Sequence, residues 1–286
     1  MSDATGSGTA APTPKDRGKR PPRPQAVLEV IGKQRITPNL LRVIVGGDQV
    51  GVLNDNDSTD KYLKLLLPQP GSGLQPPYDM EGLRETAPES MPSRRTYTVR
   101  SWDREKQLLA LDFVLHGEGT IDGIAAAWAD AVLPGDVVAA NGAGGGYAPD
   151  PETGFHLLIG DHSALPAIAS ALEAMDPSAR GIALIQLDHA EDQQDLDHPE
   201  GVELRWLIGD REQLVTETEG LDLPADGLQV FAHGERGIIK RIRRNLVKER
   251  GIDRSLISIS AYWAAGRVED QFQAEKREPV GRIDED

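Results

Sequence analysis

The sequence predicts two domains in series: an antiparallel β-barrel over residues 25–150, then an α/β domain with a parallel sheet over residues 151–286. Three observations carry this expectation. The chain has 286 residues, which at about 100–200 residues per domain points to two units. Six short strand-like segments crowd the first half. Past Pro151 the pattern changes to strands alternating with helices.

Residues 1–24 carry five prolines and the basic string Lys15, Arg17, Lys19, Arg20 and Arg23. Such a segment buries too little apolar surface to offset its ordering entropy, so a disordered arm is expected. The expected barrel strands are Val27–Ile31, Leu40–Val45, Tyr62–Leu67, Thr96–Ser101, Leu108–Leu115 and Asp136–Ala140. Thr37-Pro38-Asn39 and Leu133-Pro134-Gly135-Asp136 mark turns before the second and last of them. Pro68–Pro92 is rich in Gly and Pro and reads as a long loop, and Gly123–Ala131 is the one helix expected in this half.

In the second half the expected strands are Phe155–Gly160, Ile182–Leu187, Val202–Leu207, Leu228–Ala232 and Leu256–Trp263. One helix places Leu165, Ile168, Leu172 and Met175 at helical spacing. Another shows Ile239, Ile242, Leu246 and Val247 to the core, with Lys240, Arg243, Arg244 and Lys248 largely opposite. A doubly wound sheet places its ligand crevice at the carboxyl ends of the strands. Asp284-Glu285-Asp286 reads as a frayed end.

Composition narrows the chemistry. Without cysteine there is no disulfide, no cysteine-ligated iron–sulfur cluster and no thiol nucleophile, so redox work needs a bound group. Lys and Arg number 31 against 46 Asp and Glu, a net charge of −15, which argues against nucleic acid as a partner. The apolar runs are far shorter than the roughly 20 residues of a membrane span, and no apolar signal-peptide core opens the chain. A cytoplasmic protein, monomer or dimer, is the expectation.

The segment Ser93-Arg94-Arg95-Thr96-Tyr97-Thr98-Val99-Arg100-Ser101 carries the most chemistry. On a strand Arg95, Tyr97 and Val99 share one face and Thr96, Thr98 and Arg100 the other. A cation and an aromatic ring about 7 Å apart could serve a phosphate and a planar ring of one ligand, though from pattern alone an ordinary surface strand is the plainer reading.

Arg95-x-Tyr97-Thr98 resembles the flavin motif of the ferredoxin-reductase superfamily, and the run through Val99-Arg100 resembles the siderophore-interacting proteins, FAD-dependent ferric-siderophore reductases. Further segments agree in order: Arg35-Ile36-Thr37-Pro38 with Leu41-Arg42-Val43; Asp60 with Lys64-Leu65; Asp112-Phe113-Val114-Leu115-His116-Gly117; Trp128-Ala129 before Pro134-Gly135-Asp136; Gly160-Asp161 with Ala164-Leu165-Pro166-Ala167; and Tyr262-Trp263 with Gly266-Arg267 and Glu269-Asp270. The resemblance spans about residues 26–278.

The resemblance implies a ferredoxin-reductase-like fold in which NAD(P)H reduces FAD and FAD passes electrons singly to chelated Fe(III). Oxygen-rich chelators hold hard Fe(III) far better than Fe(II), so reduction frees the metal. It also implies residue roles. Arg95 would hold the FAD diphosphate, Tyr97 would pack on the isoalloxazine and Thr98 would bond near N5. Asp112, Val114 and His116 would meet the flavin largely through backbone groups, and Gly123, Ala125 and Trp128 belong to a short helix whose N-terminus would face the diphosphate. Asp161 would lie near the flavin and the nicotinamide. Here the chain departs from the family: Thr120-Ile121-Asp122 looks like an insertion, and Ala126 stands where a hydroxyl is common.

Asp188 and Glu191 follow the second strand of the sheet, where a carboxylate favours the ribose hydroxyls of NADH over the extra phosphate of NADPH; an acidic surface loop is the plain alternative. Since many ferric siderophores are anionic, a local basic pocket is required against the net charge, with Lys64, Arg100 and Arg267 as candidates. Gly142–Gly146 lacks the following helix of a dinucleotide fingerprint and reads as an interdomain turn. The cluster His189, Glu191, Asp192, Asp195, Asp197 and His198 reads as a solvated loop, so no resident metal is expected. Two other functions stay open: a general NAD(P)H:flavin-type reductase with another small acceptor, and a non-catalytic flavin- or siderophore-binding module.

Overall fold

The computed structural model describes residues 24–115, 123–276 and 278–283. The basic arm through Arg23, His116 and Gly117, the Thr120–Asp122 insertion and the terminal acidic residues lie outside the described residues.

Six strands close a barrel: β1 (Ala26–Thr37), β2 (Leu40–Gly46), β3 (Tyr62–Leu67), β4 (Ser93–Asp103), β5 (Leu108–Val114) and β6 (Val137–Gly144), in the order β1-β2-β5-β4-β3-β6. All neighbours are antiparallel. Alternation decides what enters the core: Ala26, Leu28 and Val30 of β1 point inward and meet Val43, Leu63, Leu65, Leu111 and Phe113, all fully buried. Helix α2 (Ile124–Ala131) packs Ala125, Ala126 and Ala129 into the same core.

The Pro68–Pro92 segment is not wholly loop. Helix α1 (Met80–Thr86) forms within it because the Asp79 side chain caps the Gly82 N–H at 2.9 Å and Leu83 packs on Tyr78 and Leu66. The expectation of one helix in this half therefore missed an element only seven residues long, too short for a periodic signal.

The second sheet is parallel, in the order β11-β10-β7-β8-β9, built from β7 (Phe155–Asp161), β8 (Gly181–Leu187), β9 (Val202–Ile208), β10 (Leu228–Glu235) and β11 (Ile257–Trp263). β7 sits in the middle, which explains its unbroken apolar run: Leu157 and Ile159 face one layer and Leu158 the other. Helix α3 (Leu165–Ala174) covers one face; α4 (Glu212–Gly220) and α5 (Arg236–Arg243) cover the other. Gly160 lets α3 approach, since a Cβ there would stand 2.6 Å from that of Ala164. Arg243, expected on the solvated face of its helix, is buried. A last helix, α6 (Glu269–Glu275), returns to β4 of the barrel. No helix among the described residues is long and apolar enough to cross a membrane.

The glycine run is mostly strand rather than turn: Gly142 and Gly144 lie in β6, and only Gly145 and Gly146 leave it. Asp60 then accepts the N–H groups of Gly146 and Tyr147 at 2.8 and 2.9 Å, fixing the chain as it crosses to the second sheet.

Candidate functional site

Strand β4 is covered by elements of the α/β half. Arg95 is half-buried, and its guanidinium Nη1 donates to Asp270 of α6 at 3.0 Å. Tyr97 stacks obliquely on Phe113, centroids 4.2 Å apart, and Phe113 in turn meets Trp128 at 5.6 Å. Burial pushes the Tyr97 phenol well above its ordinary pKa, reinforced by Glu269. Thr98 stands opposite Tyr62 in the β3–β4 register and lies beside the phenol of Tyr262 from β11. β4 thus presents a cation, a ring and a hydroxyl beside the seam between the two sheets.

Lys64 pairs across to Thr96, so it shares a face with Thr98 and Tyr62, with its ammonium 5.9 Å from the Tyr62 ring centroid. Lys276, just past α6, lies 4.4 Å from the Phe272 centroid; desolvation and the charge of Lys64 lower its pKa, against the attraction of Glu269. Burial raises the carboxyl pKa of Glu269, opposed by Gln273, Arg95 and Lys276. Arg267 is exposed and donates to Glu275 at 2.5 Å. Arg100 is committed elsewhere: it pairs with Glu173 of α3, one bond at 2.9 Å, while its backbone carbonyl accepts from Ser170 Oγ at 2.9 Å.

The remaining barrel candidates are also placed. Asp112 is buried in a bidentate side-chain pair with Arg42, at 2.6 and 2.8 Å, and stands opposite it in the β2–β5 register, so its carboxylate is committed within the barrel. Val114 pairs with Leu40 at the end of β5. Gly123 enters α2 at φ +90°, and among the described residues no side chain caps the first-turn N–H groups, including that of Ala125. Trp128 lines a shallow groove with Tyr78, Pro76 and Val138.

At the carboxyl edge of the parallel sheet Asp161 joins three segments. Its carboxylate accepts from Ser163 N at 2.9 Å, Ser163 Oγ at 2.5 Å, Glu235 N at 2.8 Å and Trp263 Nε1 at 2.8 Å. Gly234, at φ +152°, permits this: a Cβ there would lie 2.7 Å from the carboxylate. Beyond it opens a cavity of about 360 Å³ lined by Asp188, Asp210, Arg211, Glu212, Glu235 and Ala265, among others. Arg211 lies 4.9 Å over the Trp263 ring and donates to Asp188 at 3.3 Å. Glu212 is paired with Arg241, and Glu191 is exposed outside the cavity lining. On the barrel-facing side of the sheet His233 stacks between Phe231 and Tyr262, at 4.1 and 4.9 Å, and burial pushes its pKa down to about 3.

The residues of β4 and α2 fit FAD: a half-buried arginine for a diphosphate, a ring on a rigid aromatic base for the isoalloxazine, a hydroxyl beside it, and an uncapped helix start. Asp270, Tyr262, Lys276 and Arg211 were not predicted from the sequence. Each acts across a fold-level contact, and the Glu269-Asp270 pair was visible only as part of the resemblance.

Family models match both halves: the siderophore-interacting FAD-binding domain over residues 29–147 and the siderophore-interacting protein over residues 154–266. Ferric vibriobactin reductase ViuB of Vibrio cholerae is 34% identical over 260 residues, covering 87% of this chain and 93% of its own. The NADPH-dependent ferric-chelate reductase of Escherichia coli is 28% identical over 243 residues, with 83% and 92% covered. The crystal structure of the siderophore-interacting protein SipS from Aeromonas hydrophila superposes with a TM-score of 0.74 at 29% identity, over 91% of this chain and 99% of that one. With both halves matched in order and the barrel and parallel sheet in place, this chain belongs to the siderophore-interacting protein family.

Proposed function

We propose that this chain is an FAD-dependent ferric-siderophore reductase that draws electrons from NADH. The observation that carries the reading is the placement of Arg95, Tyr97 and Thr98 on one strand, covered from the α/β half by Asp270 and Tyr262. FAD, when bound, converts a two-electron donor into one-electron steps. The chain's own residues bind and orient. Arg95 would exchange its exposed carboxylate partner for the diphosphate, Tyr97 would hold the ring against Phe113, and Thr98, beside Tyr262, would hold a hydrogen bond near N5.

The two domains divide the labour, residues 25–150 holding FAD and residues 151–286 the donor. NADH is favoured by the cavity's charge. Four carboxylates, from Asp188, Asp210, Glu212 and Glu235, surround one lining arginine, and that arginine already has Asp188 as partner. Carboxylates accept from ribose hydroxyls and repel a third phosphate. For the acceptor, Lys64 and Lys276 gather positive charge near β4, with Arg267 further out, which suits an anionic ferric chelate despite the net charge of −15. The reading places the protein in the cytoplasm, where reduced nicotinamide is at hand.

The test is the spectrum of the purified, FAD-loaded protein under anaerobic NADH and, separately, NADPH. Bleaching by NADH, followed by recovery on adding a ferric siderophore with a ferrous trap reporting Fe(II), is the expected result. No bleaching by either donor refutes the enzyme, and equal rates with unrelated oxidants point to a general reductase.

A further inference from the structure

Asp192 lies in the acidic segment that reads as a solvated loop, yet it is 1% exposed. A short 3-10 turn (Ala190–Asp192) after β8 carries it into the barrel's β1–β2 turn. There its Oδ1 accepts from Thr37 Oγ1 at 2.7 Å and Asn39 N at 2.9 Å, and its Oδ2 accepts from Asn39 Nδ2 at 3.0 Å. Burial alone would raise its pKa; these bonds, with His162 nearby, hold it below the usual carboxylate value. A buried carboxylate with three donors from another domain is a rigid tie, because removing it strands those donors.

The position of the tie gives it a consequence. Four residues before Asp192, Asp188 lines the donor cavity. On the barrel side, the carbonyl of Asn39 accepts from Leu115 N at 2.9 Å, directly after β5. Two ion pairs between the halves, Arg100 with Glu173 and Arg95 with Asp270, involve partly exposed carboxylates and lie on β4, as does the bond from Ser170 Oγ to the Arg100 carbonyl. Asp192 therefore joins the strand end that borders the donor cavity to the turn that anchors the end of β5, by a route independent of β4.

Resting on the function proposed above, we infer that Asp192 is a positioning residue: it fixes the α/β domain against the barrel and so sets the distance between a nicotinamide at the sheet edge and a flavin on β4. A misplacement of about 1 Å at a reacting pair costs on the order of 100-fold in rate. Loss of the tie is therefore expected to slow reduction of the flavin by NADH at least about tenfold. Flavin affinity and the passage of electrons outward to iron need no nicotinamide and are expected to hold.

The test has two arms. The first uses the FAD-loaded protein and its Asp192→Ala and Asp192→Asn variants, measuring anaerobic bleaching by NADH, reoxidation of dithionite-reduced protein by ferric nitrilotriacetate, and FAD affinity by fluorescence titration. The Ala variant is expected to lose only the NADH step. The Asn variant keeps the shape and the Oδ1 bonds, and is expected to restore most of that rate. An unchanged NADH step, or equal loss in the reoxidation step, overturns the proposal. Thr37→Val, which removes a single donor, serves if the Ala variant does not fold, with a smaller loss confined to the same step.

The second arm needs no donor. Because the chain has no cysteine, nitroxides attached through Glu105→Cys in the barrel and Glu219→Cys on α4 report one interdomain distance. That distance is expected to be narrowly distributed with Asp192 present and broadened in Asp192→Ala. An unchanged distribution overturns the proposal even if neither nicotinamide bleaches the flavin, whereas a broadened one alongside an unbleached wild type refutes only the donor reading.

Discussion

The β4 face of the barrel and the carboxyl edge of the parallel sheet both carry arginines beside carboxylates, but the two are balanced differently. On β4 the key cation, Arg95, is 17% exposed, and its partner Asp270 is 67% exposed on a terminal helix, a contact easily given up to a phosphate. At the sheet edge the lining arginine is outnumbered: Arg211 is held by Asp188 and stacked on Trp263, with three further carboxylates around the cavity. On the function proposed above, two phosphates of a flavin nucleotide would meet a releasable cation, while a dinucleotide donor would meet a surface that penalises extra negative charge. Similar residue types thus yield one region whose cation is easily released and another whose cation is outnumbered.

The largest expected effect is at β4. Arg95→Ala removes charge-assisted bonds to the diphosphate and is expected to weaken FAD binding about 100-fold by fluorescence titration. Unchanged flavin content breaks the comparison at its first term. Next comes the buried imidazole on the barrel-facing side of the sheet. The folded-state pKa of His233, about 3, lies below its unfolded value, so the unfolded chain takes up the proton first. Stability should be full above about pH 6.5 and fall as pH drops toward 3, with about 2 kcal/mol lost by pH 5. Denaturant melts at pH 7 and pH 5, with His233→Gln removing most of the difference, check this.

A smaller effect sharpens the comparison at the donor cavity. Asp188→Ser frees Arg211 and is expected to move the NADPH-to-NADH ratio of kcat/KM about tenfold toward NADPH. Steady-state rates with both donors measure it; an unmoved ratio means that Asp188 does not set donor choice. The smallest effect is at the Arg100 pair. The Glu173 side chain is 39% exposed, so Glu173→Gln should cost under about 0.5 kcal/mol in thermal or chemical unfolding.

Much of the architecture was legible because burial writes it into local pattern. β7 reads as a continuous apolar strand since helices cover both of its faces, and β1 alternates because one face points into the barrel. α1 escaped notice because seven residues with one apolar contact side leave no periodicity. The Arg95-x-Tyr97-Thr98 motif was legible through resemblance. Lys276 was not, since nothing in its neighbours signals that α6 returns to β4. Asp192 was misread: among acidic residues in a loop, local sequence cannot distinguish one that is buried.

The sequence by itself determined the order of the two folds, the β4 motif and the need for a bound redox group, because these depend on side-chain period, local residue type and the absence of cysteine. Only the tertiary structure decided which charges are spent and which are available. Asp112 belongs to Arg42, Arg100 to Glu173, Asp188 to Arg211 and Asp192 to Thr37 and Asn39, at separations of 70, 73, 23 and about 155 residues along the chain. A charge's role depends on partners within a few ångströms, and chain folding brings those partners together without regard to their spacing in sequence.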